Sequence, residues 1–129
     1  MVGIVLVSHS AQLARGAAEL AAGVAGPEVR IETAGGGPDG SLGTAGDIVE
    51  AAIRRADSGQ GVVVLGDLGS AFLTIRHVLA HLDGGSDRIR VADAPFVEGA
   101  IAAAVTSSTG QPLEAVALAA EEARDANKL

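Results

Sequence analysis

The sequence has no cysteine, tryptophan or tyrosine, and only two phenylalanines and four prolines in 129 residues. Without cysteine there is no disulfide framework and no thiolate nucleophile, which fits a reducing, cytoplasmic compartment. Basic residues are scarce as well: nine against sixteen acids, for a net charge of −7. Eight of the nine are scattered arginines, and the single lysine, Lys128, stands at the tail. A surface that tracks nucleic-acid phosphates needs clustered cations, so nucleic acid is not an expected partner. Nor is there a lysine for a phosphate-binding P-loop. The mean hydropathy is +0.37, yet no uncharged apolar run approaches the roughly 18 to 20 residues that a spanning helix requires, so membrane insertion is not expected. The amino terminus lacks the cationic start of a secretory signal.

Hydrophobic residues make up 48% of the chain and aromatics 2%. The core must therefore be built from Ala, Val, Leu and Ile packed closely, as where helices lie tightly on a sheet. A chain of this length suits a single domain over residues 1–129.

Short β-branched runs alternate with Ala/Leu-rich helical patterns, the signature of an α/β protein with an open, mainly parallel sheet of about four strands flanked by helices. The strands are expected over 3–7, 29–33, 61–66 and 88–92. The first and third are apolar throughout, as strands covered on both faces are. Helices are expected over 10–25, with Ser10 as N-cap and Leu13, Ala17, Leu20, Ala21 and Val24 as the apolar stripe, and from Thr44 or Asp47 to 56, over 70–82, 96–105 and 112–125. Pro95 suits a first helical turn, and the polar stretch 106–111 reads as a break between the last two helices.

In such sheets reactive groups gather beyond the carboxyl ends of the strands, near the point where strand order reverses. His9 stands at the end of the first strand, a titratable nucleophile at a strand-to-helix junction. An imidazole can attack phosphorus at neutral pH, and its phosphoramidate keeps a high transfer potential. The N–H groups and dipole of the following helix would face the phosphoryl oxygens. A histidine that merely caps or packs the junction is an equally open reading of the residue taken alone. Asp67 ends the third strand, which in this topology can lie beside the first; a carboxylate there would fix the ring tautomer and free the other nitrogen. An Asp that only caps a turn is the competing reading.

Gly35-Gly36-Gly37-Pro38-Asp39-Gly40 matches GxGxxG formally, but it follows the second strand, contains Pro38 and opens no helix. It reads as a flexible loop, or as a flap whose Gly36 and Gly37 N–H groups approach the phosphoryl site. Ser10, Gly69 and Ser70 are further candidates at that site. His77 and His81 have the i, i+4 spacing of two metal ligands, without the glutamate of HExxH or a third ligand, so no metal site is expected. Ser107-Ser108-Thr109 reads as a polar turn and cap.

VGIVLVSHS at 2–10, LARGAAELA after it, GGGPDGSLGT at 35–44, VVVLGDLGSAF at 62–72 and DAPFVEGA at 93–100 together resemble the M subunits of phosphotransferase-dependent dihydroxyacetone kinases, within the mannose-type IIA superfamily. The motifs fall in order at the strand ends and span the chain. The resemblance implies a flavodoxin-like α/β fold, a homodimer, and phosphorylation of His9 with Asp67 orienting the ring. It implies phospho-HPr as donor and, as acceptor, ADP held by the L subunit of a kinase whose K subunit holds dihydroxyacetone. No cofactor would be bound by this chain itself. Sugar-permease members carry a GGSP-like turn after the aspartate; Asp67-Leu68-Gly69-Ser70-Ala71 departs from it and favours the dihydroxyacetone branch over a permease IIA component. A non-catalytic regulator phosphorylated on His9 is a third reading.

Overall fold

The computed structural model describes residues 1–82 and 86–129. The elements run β1 (Gly3–Ser8), α1 (Ala11–Ala25), β2 (Ile31–Gly35), α2 (Gly46–Ala56), β3 (Val62–Gly66), α3 (Gly69–Ala80), β4 (Ile89–Val91), α4 (Phe96–Ser108), α5 (Leu113–Glu122) and a terminal 3₁₀ turn, Ala123–Asp125. All strands are parallel, in the order β2-β1-β3-β4. The α/β class and the four-stranded parallel sheet expected from the sequence are those observed.

β1 and β3 are central and buried along their whole length. Their alternating side chains feed two separate cores, as the period of a strand demands. Ile4, Leu6, Val63 and Leu65 meet alanines of α1, α4 and α5 on one face. Val5, Val7, Val62 and Val64 meet Val49, Ile53, Ala71 and Ile75 of α2 and α3 on the other. With α1 on one face and α2 and α3 on the opposite one, the chain leaves β1 in one direction and β3 in the other. The carboxyl ends of β1 and β3 thus flank the switch point, where diverging connections leave a crevice.

Several element bounds differ from the expected ones. β2 begins two residues later and ends on Gly35, which pairs with Ser8. Val29 is buried from the preceding turn and mimics a strand residue. Gly35 is required because a Cβ there would lie 2.7 Å from the Ala11 Cα. Neither Thr44 nor Asp47 caps α2: Ala45 precedes it, and the Thr44 hydroxyl instead bonds the Thr74 hydroxyl at 2.7 Å. Pro95 is the cap residue of α4 and Phe96 its first helical residue. That helix runs on through the polar stretch to Ser108, because Ser107 is fully buried and donates its hydroxyl to the Val2 carbonyl.

The largest correction concerns α1. Leu13, Leu20 and Val24, expected in its buried stripe, are 44%, 50% and 57% exposed, whereas Ala14, Ala17 and Ala21 make the core contact. Methyl side chains let the helix lie close to β1 and β2, and the larger residues are displaced outward.

Candidate functional site

The site is assembled at the switch point. β1 and β3 run in register up to Val7 and Gly66, and the ladder continues with the Asp67 N–H donating to the Val7 carbonyl at 3.1 Å. Asp67 is therefore level with Ser8, and His9 follows one residue beyond on the adjacent strand. The His9 side chain is 25% exposed and that of Asp67 8%.

Asp67 accepts four donors. One oxygen takes the Ser8 hydroxyl at 2.9 Å and the His9 backbone N–H at 3.0 Å. The other takes the His9 ring at Nδ1, 3.0 Å away, and the Leu68 N–H at 2.7 Å. Burial opposes ionisation of this carboxyl, but the hydrogen bonds from the His9 N–H and ring, the Ser8 hydroxyl and the Leu68 N–H prevail and hold its pKa below the usual carboxylate value. An ionised carboxylate has no proton to give, so Nδ1 carries the hydrogen, and in the neutral ring Nε2 keeps its lone pair. Nε2 faces the Ser70 hydroxyl at 2.8 Å, the natural donor of that pair.

Ser8, to which the sequence assigned no role, is fully buried and joins the two halves of the site. Its hydroxyl donates to Asp67 and accepts the Ser10 N–H at 3.0 Å. Its one signal was a polar residue ending an otherwise apolar strand.

Ser10 caps α1 as expected, its hydroxyl accepting the Leu13 N–H at 3.2 Å. No side chain caps α3, whose preceding residue is Leu68. The N–H groups of Gly69 and Ser70 have no protein acceptor among the described residues. The helix start nearest Nε2 is thus that of α3, carrying Ser70, rather than that of α1 alone.

The glycine loop takes a different part from a flap of free donors. The Gly36 N–H is bonded to the Ser8 carbonyl at 3.1 Å and the Gly37 N–H to the Ser41 carbonyl at 2.8 Å. Gly36 sits at φ +81°, the left-handed region that glycine tolerates. The Gly43 N–H closes the loop on the His9 carbonyl at 2.9 Å. The loop braces the Ser8 carbonyl through Gly36 and the His9 carbonyl through Gly43, and the Gly36 and Gly37 N–H groups that a flap would offer to a phosphoryl group are already bonded.

His77 and His81 lie towards the other end of α3, their rings 4.6 Å apart, in an open groove with Asp47, Glu50 and Arg54 of α2. No group of three or more metal-ligating side chains occurs among the described residues. No described helix is long and apolar enough to cross a membrane.

A histidine locked by a carboxylate between β1 and β3 is joined by a family match over most of the chain: the PTS system fructose IIA component, EIIA-man, matches residues 3–117. The chain belongs to the EIIA-man family. Among similar proteins, "PEP-dependent dihydroxyacetone kinase 2, phosphoryl donor subunit DhaM" of Listeria innocua is 36% identical over 117 residues, covering 90% of this chain and 94% of the relative. Subunits with the corresponding DhaM name from Pantoea ananatis and Escherichia coli are 37% and 33% identical over 96% and 99% of this chain. In each of those two, the chain spans 28% of the relative's length. A solved structure, the protein of unknown function EF1359, aligns with a TM-score of 0.84 and 31% identity over 100% of this chain and 98% of its own. The His9–Asp67 site lies within the matched segment.

Proposed function

We propose that this EIIA-man chain is a cytoplasmic histidine phosphocarrier of a phosphoenolpyruvate-dependent dihydroxyacetone kinase, and that His9 is the residue phosphorylated. The observation that carries the reading is the polarised ring, with Nδ1–H held by Asp67 and Nε2 turned to Ser70. The names of the relatives supply the reaction.

In the first half-reaction the Nε2 lone pair attacks the phosphorus of phospho-HPr. The new N–P bond forms as the donor's N–P bond breaks, and the donor imidazole leaves with that electron pair. The ring of His9 becomes cationic in character, and the Asp67 carboxylate beside Nδ1–H stabilises it. Ser70 rotates from the nitrogen it has just released and donates to a phosphoryl oxygen. The unbonded N–H groups of Gly69 and Ser70 at the start of α3 add a positive helix end. In the second half-reaction an oxygen of the β-phosphate of ADP, held by the L subunit, attacks the same phosphorus and restores neutral His9. The K subunit holds dihydroxyacetone; this chain supplies neither nucleotide site nor sugar site and is not a complete kinase on its own.

The test is a reconstituted relay. With phosphoenolpyruvate, enzyme I and HPr, acid-labile, alkali-stable phosphate is expected on His9, followed by its transfer to ADP bound to the L subunit. Full labelling of a His9→Ala chain overturns the site. A labelled chain that hands phosphate to a sugar-permease IIB protein, and not to the L subunit, overturns the choice of acceptor.

A further inference from the structure

Among the described residues every lysine and arginine but Arg15 and Arg76 meets a carboxylate or a backbone carbonyl. Both exceptions are exposed, in a chain of net charge −7, and they stand on α1 and α3, the two helices that begin at the site. Only Arg76 is on the helix that Nε2 faces, since Nε2 points to Ser70 of α3. Arg76 and Gly69 line one open pocket of about 390 Å³ between α3 and the end of β4, together with Phe72 and Val91. The acid of that pocket, Asp93, is paired with Arg124 at 3.6 Å, so the Arg76 charge is not met there. Arg76 stands six residues beyond Ser70, a rise of about 9 Å, and helical side chains lean back towards the helix start. Its guanidinium is thus placed to meet a second anion rather than the phosphoryl group that Nε2 would carry.

Resting on the phosphocarrier reading above, we propose that Arg76 binds the diphosphate of the acceptor ADP while His9 is discharged. The two half-reactions differ in what they bring to the pocket. The donor brings one phosphoryl group, which transfers, and a neutral imidazole leaves. The acceptor brings two phosphates that stay with the nucleotide and carry their negative charge up to a phosphohistidine that is itself anionic. A β-phosphate oxygen attacks the phosphorus, the N–P bond breaks and Nε2 regains its electron pair, and throughout the approach the two anions repel each other. A planar guanidinium with several donors is suited to offset that repulsion and to hold a phosphate in place. The nucleotide itself stays on the L subunit. Leu68 and Leu73, 60% and 72% exposed, neighbour Gly69 and Phe72 in the chain; a docked L subunit that covers them would exclude water and strengthen the ion pair.

Single-turnover kinetics of the full chain test the two halves separately. Arg76→Gln should load from phospho-HPr within about twofold of the wild-type rate. Its discharge to saturating ADP-loaded L subunit should slow by about ten- to a hundredfold, the effect of losing a hydrogen bond to a charged group. Arg76→Lys, which keeps the charge and loses the fork, should fall between. Arg15→Gln, the same loss of charge on α1, should leave both rates within about twofold, and Arg76→Gln should bind ADP-free L subunit as tightly as the wild type does. Unchanged discharge overturns the proposal, as does equal slowing of loading and discharge, equal slowing by Arg15→Gln, or weaker binding to the ADP-free L subunit; all four leave the phosphocarrier reading standing. A wild type that takes no phosphate on His9, or passes none to ADP, overturns that reading and this proposal with it.

Discussion

At the junction of β1 and α1 the helix start is closed by Ser10, whose hydroxyl accepts the Leu13 N–H, whereas at the junction of β3 and α3 the cap residue is Leu68 and no side chain closes the helix. Both junctions leave central parallel strands at the same level, and each contributes one member of the His9–Asp67 pair. The difference separates their duties. The first junction is braced: the Ser8, His9 and Ser10 backbones are held by Gly36, Asp67, Gly43 and the Ser8 hydroxyl, so the imidazole sits on a fixed stem. The second is left with unmet donors beside Nε2. Rigidity under the nucleophile and open hydrogen-bonding capacity beside it are what a residue that is repeatedly loaded and unloaded requires.

Substitutions that exchange these duties should have graded effects. His9→Gln removes the nucleophile and should abolish phosphate incorporation while leaving the fold intact, as seen by circular dichroism. Asp67→Asn should slow transfer by about ten- to a thousandfold in single-turnover measurements. The loss has a structural part too. All four groups around the carboxylate are donors, so an amide in either orientation turns its NH2 towards two of them. Ser70→Ala should cost less, about three- to thirtyfold in transfer rate, since one neutral hydrogen bond is lost and the backbone donors of α3 remain.

Acidity sharpens the same contrast. The Asp67 pKa is lowered on folding from a reference value of 3.8. Its bonds therefore stabilise the fold fully above that value, and the contribution fades as pH falls through the lower folded pKa. The stability gap between wild type and Asp67→Asn in urea unfolding should shrink as pH falls below 3.8. A gap that instead grew below pH 3.8 would mean that the carboxylate is not held in its charged form.

Much of the site could be read in the sequence because strand ends are marked by abrupt changes of residue type. His9 and Asp67 each end an apolar run, and Ser10 stands one residue before a helical pattern. Apart from the His9–Asp67 pair, contacts between distant segments were not legible. Ser8 gains its role only when β3 lies beside β1, and Gly36 and Gly37 look like free donors until the loop folds back on the Ser8 carbonyl and on Ser41. In α1 the periodicity was right and Ala17 and Ala21 are buried as expected, but the stripe is centred on the alanines and not on the leucines. Leucine outranks alanine in hydrophobicity, yet close approach to the sheet selects the smaller side chain, and Leu13 and Leu20 turn outward. Ser107 misled in the opposite sense, since a serine that reaches the Val2 carbonyl is as much at home in the core as an alanine.

Ser10→Ala probes the braced junction without touching the open one. Loss of an N-cap typically costs about 1 kcal/mol. Urea denaturation should show that loss, while the transfer rate of the folded protein stays within about twofold, because the Ser8 hydroxyl still holds the backbone of residue 10. A larger fall in rate than in stability would place the Ser10 hydroxyl in the phosphoryl site.

The smallest effects are expected at His77 and His81, the other histidines of the chain and thus the natural controls for where phosphate goes. They share α3 with Ser70 but stand towards its far end, in a groove against α2. The His81 ring is bonded to the His77 carbonyl, and among the described residues neither ring meets a carboxylate as His9 does. The carbonyl holds the hydrogen on His81 Nδ1 but carries no full negative charge to stabilise a charged, phosphorylated ring. His77→Ala and His81→Ala, singly or together, should therefore accept phosphate at the wild-type rate. Peptide mapping under neutral or alkaline conditions, where phosphohistidine survives, should find all the label on the segment containing His9. Label on the α3 peptide, or a double variant that loads more slowly than Ser70→Ala, would show that the open end of α3 is not where the phosphoryl group is received.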